Sequence, residues 1–384
     1  MNIDVKILNM NKEVNRNSSF ELLRIICMIM IVSSHYALHG GYPEVTVNSI
    51  SIGTTYISIL SMFGEVACGI FALMTGYFMI ESDNGLKEQL KKSLLLLAEL
   101  FFYYLIVFAF VYFTKITSIS LRDIVNMFIP FYKENWYVKS YILFSLGIPY
   151  INIFLKSINK KAYEEMLVVI AVFWILLSTI FGNVIDIGCL GFMLFMYIIG
   201  AYTKINNLDK SNINRKYIHI YIYICLFCGI LMVLSVIVIN LLSVLFNSSF
   251  LLSHDKWLAP YNSIFAFVMS YCLFLFACKR NFYSKIINKI SSTMLGIYIL
   301  HDNGLMAKVI WKVWLPNINF VNNPFMHSLL KITVVLMAGI VIDLIRQSTI
   351  EKVIKKWLDS NFDILFERFE KIVKKCAESI KKFI

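Results

Sequence analysis

The sequence predicts an all-α polytopic membrane protein with about ten transmembrane helices, both termini cytoplasmic, and a carboxy-terminal amphipathic helix. Three observations carry this expectation. Hydrophobic residues make up 59% of the 384 and charged residues only 16%. The mean hydropathy is +0.70, well above what a water-soluble core of this size needs. Apolar stretches able to cross a hydrocarbon core of about 30 Å recur along the chain, near 20–38, 56–80, 93–114, 136–155, 165–182, 184–203, 218–246, 258–278, 291–312 and 328–346.

Taken in order, the first stretch follows a polar tail, carries Arg24 and lacks a small-residue cleavage site, so it reads as a retained span and not as a signal peptide. The second contains Glu65 among the small residues Gly64, Ala67, Cys68 and Gly69, which favour close helix approach. The third holds Glu99 near its cytoplasmic end, the fourth Lys139 near its outer end, and the sixth closes on Gly200-Ala201. The seventh contains Cys225 and Cys228, a C-x-x-C with no neighbouring base or cation, which reads as core packing. The eight cysteines show no pairing pattern. The ninth carries Tyr298-Ile299-Leu300-His301-Asp302-Asn303-Gly304, and the tenth Lys331, for which snorkelling toward the outer interface is the expectation. From Val353 to Phe383 apolar residues recur at helical spacing between lysines, predicting an amphipathic helix along the membrane with a break near Ser360-Asn361. The organisation is thus a tail over 1–19, a membrane unit over 20–346 and the amphipathic helix over 347–384.

The net charge of +12 would point to nucleic acid in a soluble protein. Here the bases follow topology instead. The amino-terminal tail, the even-numbered loops and the carboxy-terminal segment from Arg346 hold 27 Lys and Arg, the odd-numbered loops together with the outer end of the ninth stretch (Lys308 and Lys312) hold six, and Arg24, Lys139 and Lys331 lie within spans. That asymmetry puts both termini on the cytoplasmic side of the membrane, with membrane lipids as partners and no nucleic acid.

Ionisable groups at membrane depth are costly, so they are the site candidates. Arg24 and His35 are eleven residues apart on the first helix, which returns them to one face about 16 Å apart. Glu65 needs a partner such as Lys139, His35 or water, and His301-Asp302 near mid-membrane asks for a wet cavity. Glu65, Lys139, His301 and Asp302 are therefore substrate-binding candidates. His35 and His39 have metal-ligand spacing, but no Glu follows His35 as in H-E-x-x-H, and no metal is expected. The chain has no P-loop, no G-x-G-x-x-G after a strand and no G-x-S-x-G elbow, so a soluble-type serine hydrolase is excluded.

Transfer of an acyl group from a thioester to a hydroxyl suits this pair. Neutral imidazole is the general base best matched to pH 7, and a guanidinium in the inner half of a cavity can hold the phosphates of a cytoplasmic acyl-coenzyme A. His35 is the candidate base and Arg24 the donor anchor. Phe20-Glu21-Leu22-Leu23-Arg24-Ile25-Ile26-Cys27, running on to Ser34-His35-Tyr36, resembles the amino-terminal signature of the integral-membrane acyltransferase 3 family. Thr75-Gly76-Tyr77-Phe78, Trp136-Tyr137, Gly200-Ala201 and His301 after Ile297-Tyr298-Ile299-Leu300 resemble further segments of that family, so the similarity covers about residues 18–346.

The resemblance implies a membrane O-acyltransferase that moves acetyl or another short acyl group from acyl-CoA, as donor substrate and not as bound cofactor, to a hydroxyl of a cell-surface glycan or lipid-linked oligosaccharide. It implies Arg24 and His35 as the essential pair and makes Trp136 a substrate-binding candidate. The chain departs from the family pattern in lacking an R-x-x-R pair after the second span, where Lys87, Lys91 and Lys92 are the nearest bases, and in showing no fused extracytoplasmic hydrolase-like domain. The alternative reading is a polysaccharide exporter or flippase without acyl-transfer chemistry, whose polar path the same residues would line.

Overall fold

The computed structural model describes residues 17–128, 135–182, 187–210 and 218–381. The tail through Arg16, and Lys133, Arg215, Lys216 and Lys382 among the bases used to orient the chain, lie outside the described residues. Every regular element among the described residues is helical, and eight helices are long and apolar enough to cross a membrane.

The chain runs through α1 (Ser18–Leu38), α2 (Ile52–Met79), α3 (Leu86–Thr114), the short α4 (Leu121–Phe128), α5 (Trp136–Ser157) and α6 (Lys160–Phe181). It continues through α7 (Gly188–Ile205), α8 (His219–Leu245), the short α9 (Ser249–Ser253), α10 (Ile264–Lys279) and α11 (Lys285–Ser291). Then come α12 (Met294–Asp302), α13 (Gly304–Lys308, extended by a π turn to Val313), α14 (Pro324–Ser348) and α15 (Ile350–Lys381). Eight of the ten predicted spans correspond to long helices. The span near 258–278 is the 16-residue α10, shorter than the rest.

The span predicted over 291–312 is not one helix. Asn303 adopts an extended backbone at φ −64°, ψ 130°, and its side-chain oxygen accepts from the N–H groups of Leu305 and Met306, so it ends α12 and caps α13. A polar side chain that competes for backbone donors, followed by glycine, stops a helix even inside an apolar run. The break lies in protein interior, where irregular backbone is tolerated at membrane depth, and it leaves His301 and Asp302 on the last turn of α12.

α1 and α2 form the centre, with α7, α10, α12 and α14 packed around them. Small residues set the spacing. A methyl at Gly76 of α2 would lie 2.0 Å from the Tyr197 carbonyl oxygen on α7, and one at Gly200 of α7 would lie 2.1 Å from the Leu73 oxygen on α2. Two segments singled out in the sequence, 75–78 and 200–201, are thus two sides of a single helix contact. At one end of the bundle the start of α1 meets the loop before α11, through Ser18 N–H to Phe282 O at 2.8 Å and the Asn17 side chain to Arg280 O at 2.8 Å. The Tyr77 hydroxyl at the foot of α2 donates to Asp209 after α7, and Lys279 of α10 donates to Leu208 O. The even-numbered loops near 81, 208 and 282 therefore gather at the Arg24 end.

α15 continues unbroken through Ser360 and Asn361, contrary to the predicted break. Their side chains donate back to the carbonyls of Lys356 and Trp357 at 3.0 and 2.8 Å, so neither disturbs the helix. α15 docks on the start of α3 through Lys87–Asp363 and Lys91–Asp359, both 2.7 Å, over buried Leu358 and Phe362, while Val353, Trp357 and Ile372 face outward. Lys331 does not snorkel. It is 1% exposed, its ammonium donates to the Leu315 carbonyl and to Asn317 Oδ1 at 2.7 Å each, and it lies over the rings of Trp311 and Trp314. The chain before α14 supplies acceptors closer than water, which removes the reason to reach for the interface. None of the seven cysteines from Cys27 to Cys278 is in a disulfide.

Candidate functional site

α1 presents Arg24, Met28 and Ile31 to a partly open cavity of about 530 Å³. Residues three and four apart share a helix face, which is why these three line one wall. Phe71, Thr75 and Phe78 of α2, Tyr137 and Tyr141 of α5, and Ser291 with Tyr298 from α11 and α12 close much of the remainder. Arg24 is the charged side chain among these lining residues. Its Nη1 lies 3.1 Å from both carboxylate oxygens of Glu21, one turn earlier, and Glu21 is 4% exposed and accepts a 2.5 Å hydrogen bond from the Ser291 hydroxyl. Sequence reasoning passed over Glu21, although its i,i+3 spacing from Arg24 is a legible ion-pair signal.

Beyond the cavity, toward the other end of α1, lies a polar cluster. His35 Nδ1 is 2.9 Å from His301 Nε2, and His301 Nδ1 is 2.6 Å from the Ile297 carbonyl oxygen. Asp302 Oδ1 stands 3.7 Å from His35 Nδ1 and 3.5 Å from His39 Nε2, while Oδ2 accepts from Asn135 Nδ2 at 3.0 Å. Asn135 is held in turn by the Tyr104 hydroxyl and has a left-handed backbone at φ 48° just before α5. Nothing in the sequence pointed to Asn135, because its partner lies 167 positions away. The ring of Tyr298, in the cavity wall, is centred 6.3 Å from that of His35, and Ile31 in the same wall precedes His35 by one turn. The cavity therefore reaches from Arg24 to the Tyr298 ring beside His35, and His35 itself is not part of the wall.

The structure brings His35, His301 and Asp302 together and sets Arg24 below them. The other candidates lie apart. Glu65 accepts from the Tyr261 backbone N–H at 2.6 Å, between α2 and the chain before α10, and Lys139 is half-buried on α5; neither lines the cavity. Trp136 is exposed, and its neighbour Tyr137 occupies the wall instead. His35, His39 and Asp302 place ligand-type atoms within 4.8 Å of one another, but the His35 nitrogen on the Asp302 side is already bonded to His301.

A second buried set braces the His35 end of α1. His327 Nε2 faces the Leu315 carbonyl at 3.2 Å, so Nδ1 is left to accept from the Tyr36 hydroxyl at 2.8 Å, and Asn317 Nδ2 donates to the Tyr36 carbonyl. Tyr36 follows His35 directly, so these contacts fix the backbone from which His35 projects. In α4, outside the spans, burial works to raise the Asp123 carboxyl, but Lys308 at 2.8 Å and the Ser120 hydroxyl and N–H hold it below the usual carboxylate range.

The family model described as an acyltransferase domain matches residues 17–344. The chain belongs to the acyltransferase 3 family. This acyltransferase 3 domain opens at the Asn17 cap of α1, takes in the cavity and the histidine cluster, and ends within α14 before α15. The protein is accordingly an acyltransferase of the non-aminoacyl kind built into a membrane-type helical bundle. Neither the curated proteins nor the solved structures yield a match.

Proposed function

We propose that this acyltransferase moves an acetyl or other short acyl group from acyl-CoA to a hydroxyl of a cell-surface or lipid-linked glycan, with His35 as general base and Arg24 as anchor for the donor phosphates. The observation that supports this reading is the arrangement along one face of α1: a guanidinium opens into a cavity of about 530 Å³ whose wall includes the Tyr298 ring beside His35. A pantetheine-type arm is long, flexible and weakly polar, and walls of Phe, Tyr, Met and Ile suit it better than they suit a sugar. The 27-to-six asymmetry of bases favours both termini facing the cytoplasm of a bacterial cell, where acyl-CoA is made.

Membranes holding the full chain, incubated with radiolabelled acetyl-CoA and a lipid-linked or polymeric glycan, are expected to transfer label. His35→Ala at equal protein level should lower transfer by about 10²–10⁴-fold, the usual contribution of a general base. Undiminished transfer by that variant would refute the assignment of His35.

A further inference from the structure

The two nitrogens of His301 have different partners, and that difference propagates. Nδ1 lies 2.6 Å from the Ile297 carbonyl oxygen. A carbonyl oxygen only accepts, so Nδ1 carries a proton. In the neutral ring Nε2 is then an acceptor, and Nε2 faces His35 Nδ1 at 2.9 Å. That contact is a hydrogen bond only if His35 Nδ1 donates, which leaves the lone pair of His35 on Nε2.

We infer that His301 is a positioning residue that fixes the tautomer of His35 and thereby makes Nε2 the atom that takes the proton from the acceptor hydroxyl. The inference deepens the proposed acyl transfer and rests on it for the chemical step. As the hydroxyl oxygen attacks the thioester carbonyl carbon, its proton passes to His35 Nε2. The C–S bond then breaks, its electron pair goes to sulfur, and the proton moves from Nε2 to the leaving thiolate, so that ester and free thiol are the only products. During the interval in which His35 is an imidazolium, the Asp302 carboxylate, 3.7 Å from Nδ1 and oriented by Asn135, faces the charge. The other titratable groups around His35 are His39 on its own helix, at 4.8 Å between ring centres, and Tyr298 on α12.

The backbone explains why the relay holds. His301 accepts its place from its own helix, one turn below, and α12 ends at Asp302 because Asn303 leaves the helix. His301 is 1% exposed, so water does not compete for either nitrogen.

The test has two independent readouts. The chain has six histidines, so ¹⁵N-histidine labelling in lipid nanodiscs, with His35→Gln used for assignment, resolves the protonated and bare nitrogens of His35. The expected spectrum shows His35 protonated on Nδ1 and bare on Nε2. In kinetics, His301→Leu should lower kcat about 10²-fold with KM for acetyl-CoA changed less than about two-fold, because a misplaced proton disables the base without touching the donor cavity. His301→Gln restores an acceptor beside His35 Nδ1 and a donor toward Ile297, and should recover most of kcat. A wild-type spectrum with His35 protonated on Nε2 would overturn the inference, as would wild-type kcat in His301→Leu. A wild-type chain that gives the expected spectrum yet transfers no label would refute the acyl-transfer reading and leave the tautomer assignment standing.

Discussion

Gly76→Ala tests whether the contact between α2 and α7 sets the shape of the cavity. The added methyl would lie 2.0 Å from the Tyr197 carbonyl oxygen and 2.8 Å from its carbon, where ordinary contact begins at 3.4 Å. Both opposing atoms are backbone, so no rotamer change relieves the overlap and the helices must part by more than an ångström. Overpacking of this kind costs about 1–3 kcal/mol, and a rigid backbone partner puts the expectation near the upper figure. At roughly 2 °C per kcal/mol for a chain of this size, Tm should fall by about 6 °C, read by fluorescence-detected size exclusion after heating in detergent. Met74, Thr75, Phe78 and Met79 flank the glycine and line the cavity, so KM for acetyl-CoA should rise as well. Gly200→Ala meets the Leu73 oxygen at 2.1 Å and should behave alike, and the double variant should cost less than the sum because the helices part only once. Gly147→Ala is the control: its nearest neighbour would be the Ile151 side chain at 3.6 Å, so alanine there should not destabilise. Wild-type Tm and KM in both Gly76→Ala and Gly200→Ala would refute the packing argument.

Two further outcomes follow from charged pairs. Arg24→Ala removes the cation beside Glu21, and because Arg24 is itself 33% exposed the loss of stability should be about 1–2 kcal/mol, below that of a sealed pair; adding Glu21→Gln should restore Tm without restoring donor affinity, and an unchanged Tm in Arg24→Ala would show that the pair is idle. For Asp123, whose carboxyl is held below its ordinary value, the linked stability is complete above the unfolded pKa of about 3.9 and is lost as pH falls through the lower folded value. The Tm gap between wild type and Asp123→Asn should therefore be constant from pH 7 to about pH 4 and shrink only below it, as thermal scans across that range would record.

The long apolar runs were legible because lipid allows few alternatives to a helix, and eight of the ten predicted stretches correspond to long helices. The break at Asn303 was missed although Asp302-Asn303-Gly304 carries a helix-stop signature, since mean hydropathy over 291–312 outweighed three polar letters. Lys331 was misjudged for a different reason. Helical periodicity shows only its own helix, whereas its acceptors, Leu315 and Asn317, come from the chain before α14. The α1 face was readable from spacing alone, and so was the Glu21–Arg24 pair had the i,i+3 rule been applied. The choice between Trp136 and Tyr137 was not, because it depends on the rotation of α5 against its neighbours, which no local pattern encodes.

The missing arginine pair after the second span acquires a physical meaning from α15. Lys87 and Lys91, two of the three bases in that region, are bonded at 2.7 Å to Asp363 and Asp359, and each lies over a phenylalanine ring of the same helix, Phe366 and Phe362. Their charge is spent on holding α15, and neither lines the cavity. Arg24 is the cation in that wall, and Glu21 already offsets part of its charge. On the acyl-CoA reading, the electrostatic share of donor recognition is therefore small. The larger share falls to the fit of the arm against Phe71, Phe78, Tyr137, Tyr141 and Tyr298, which is why the spacing of α2, set by glycines on two helices, bears on donor affinity as directly as the arginine does.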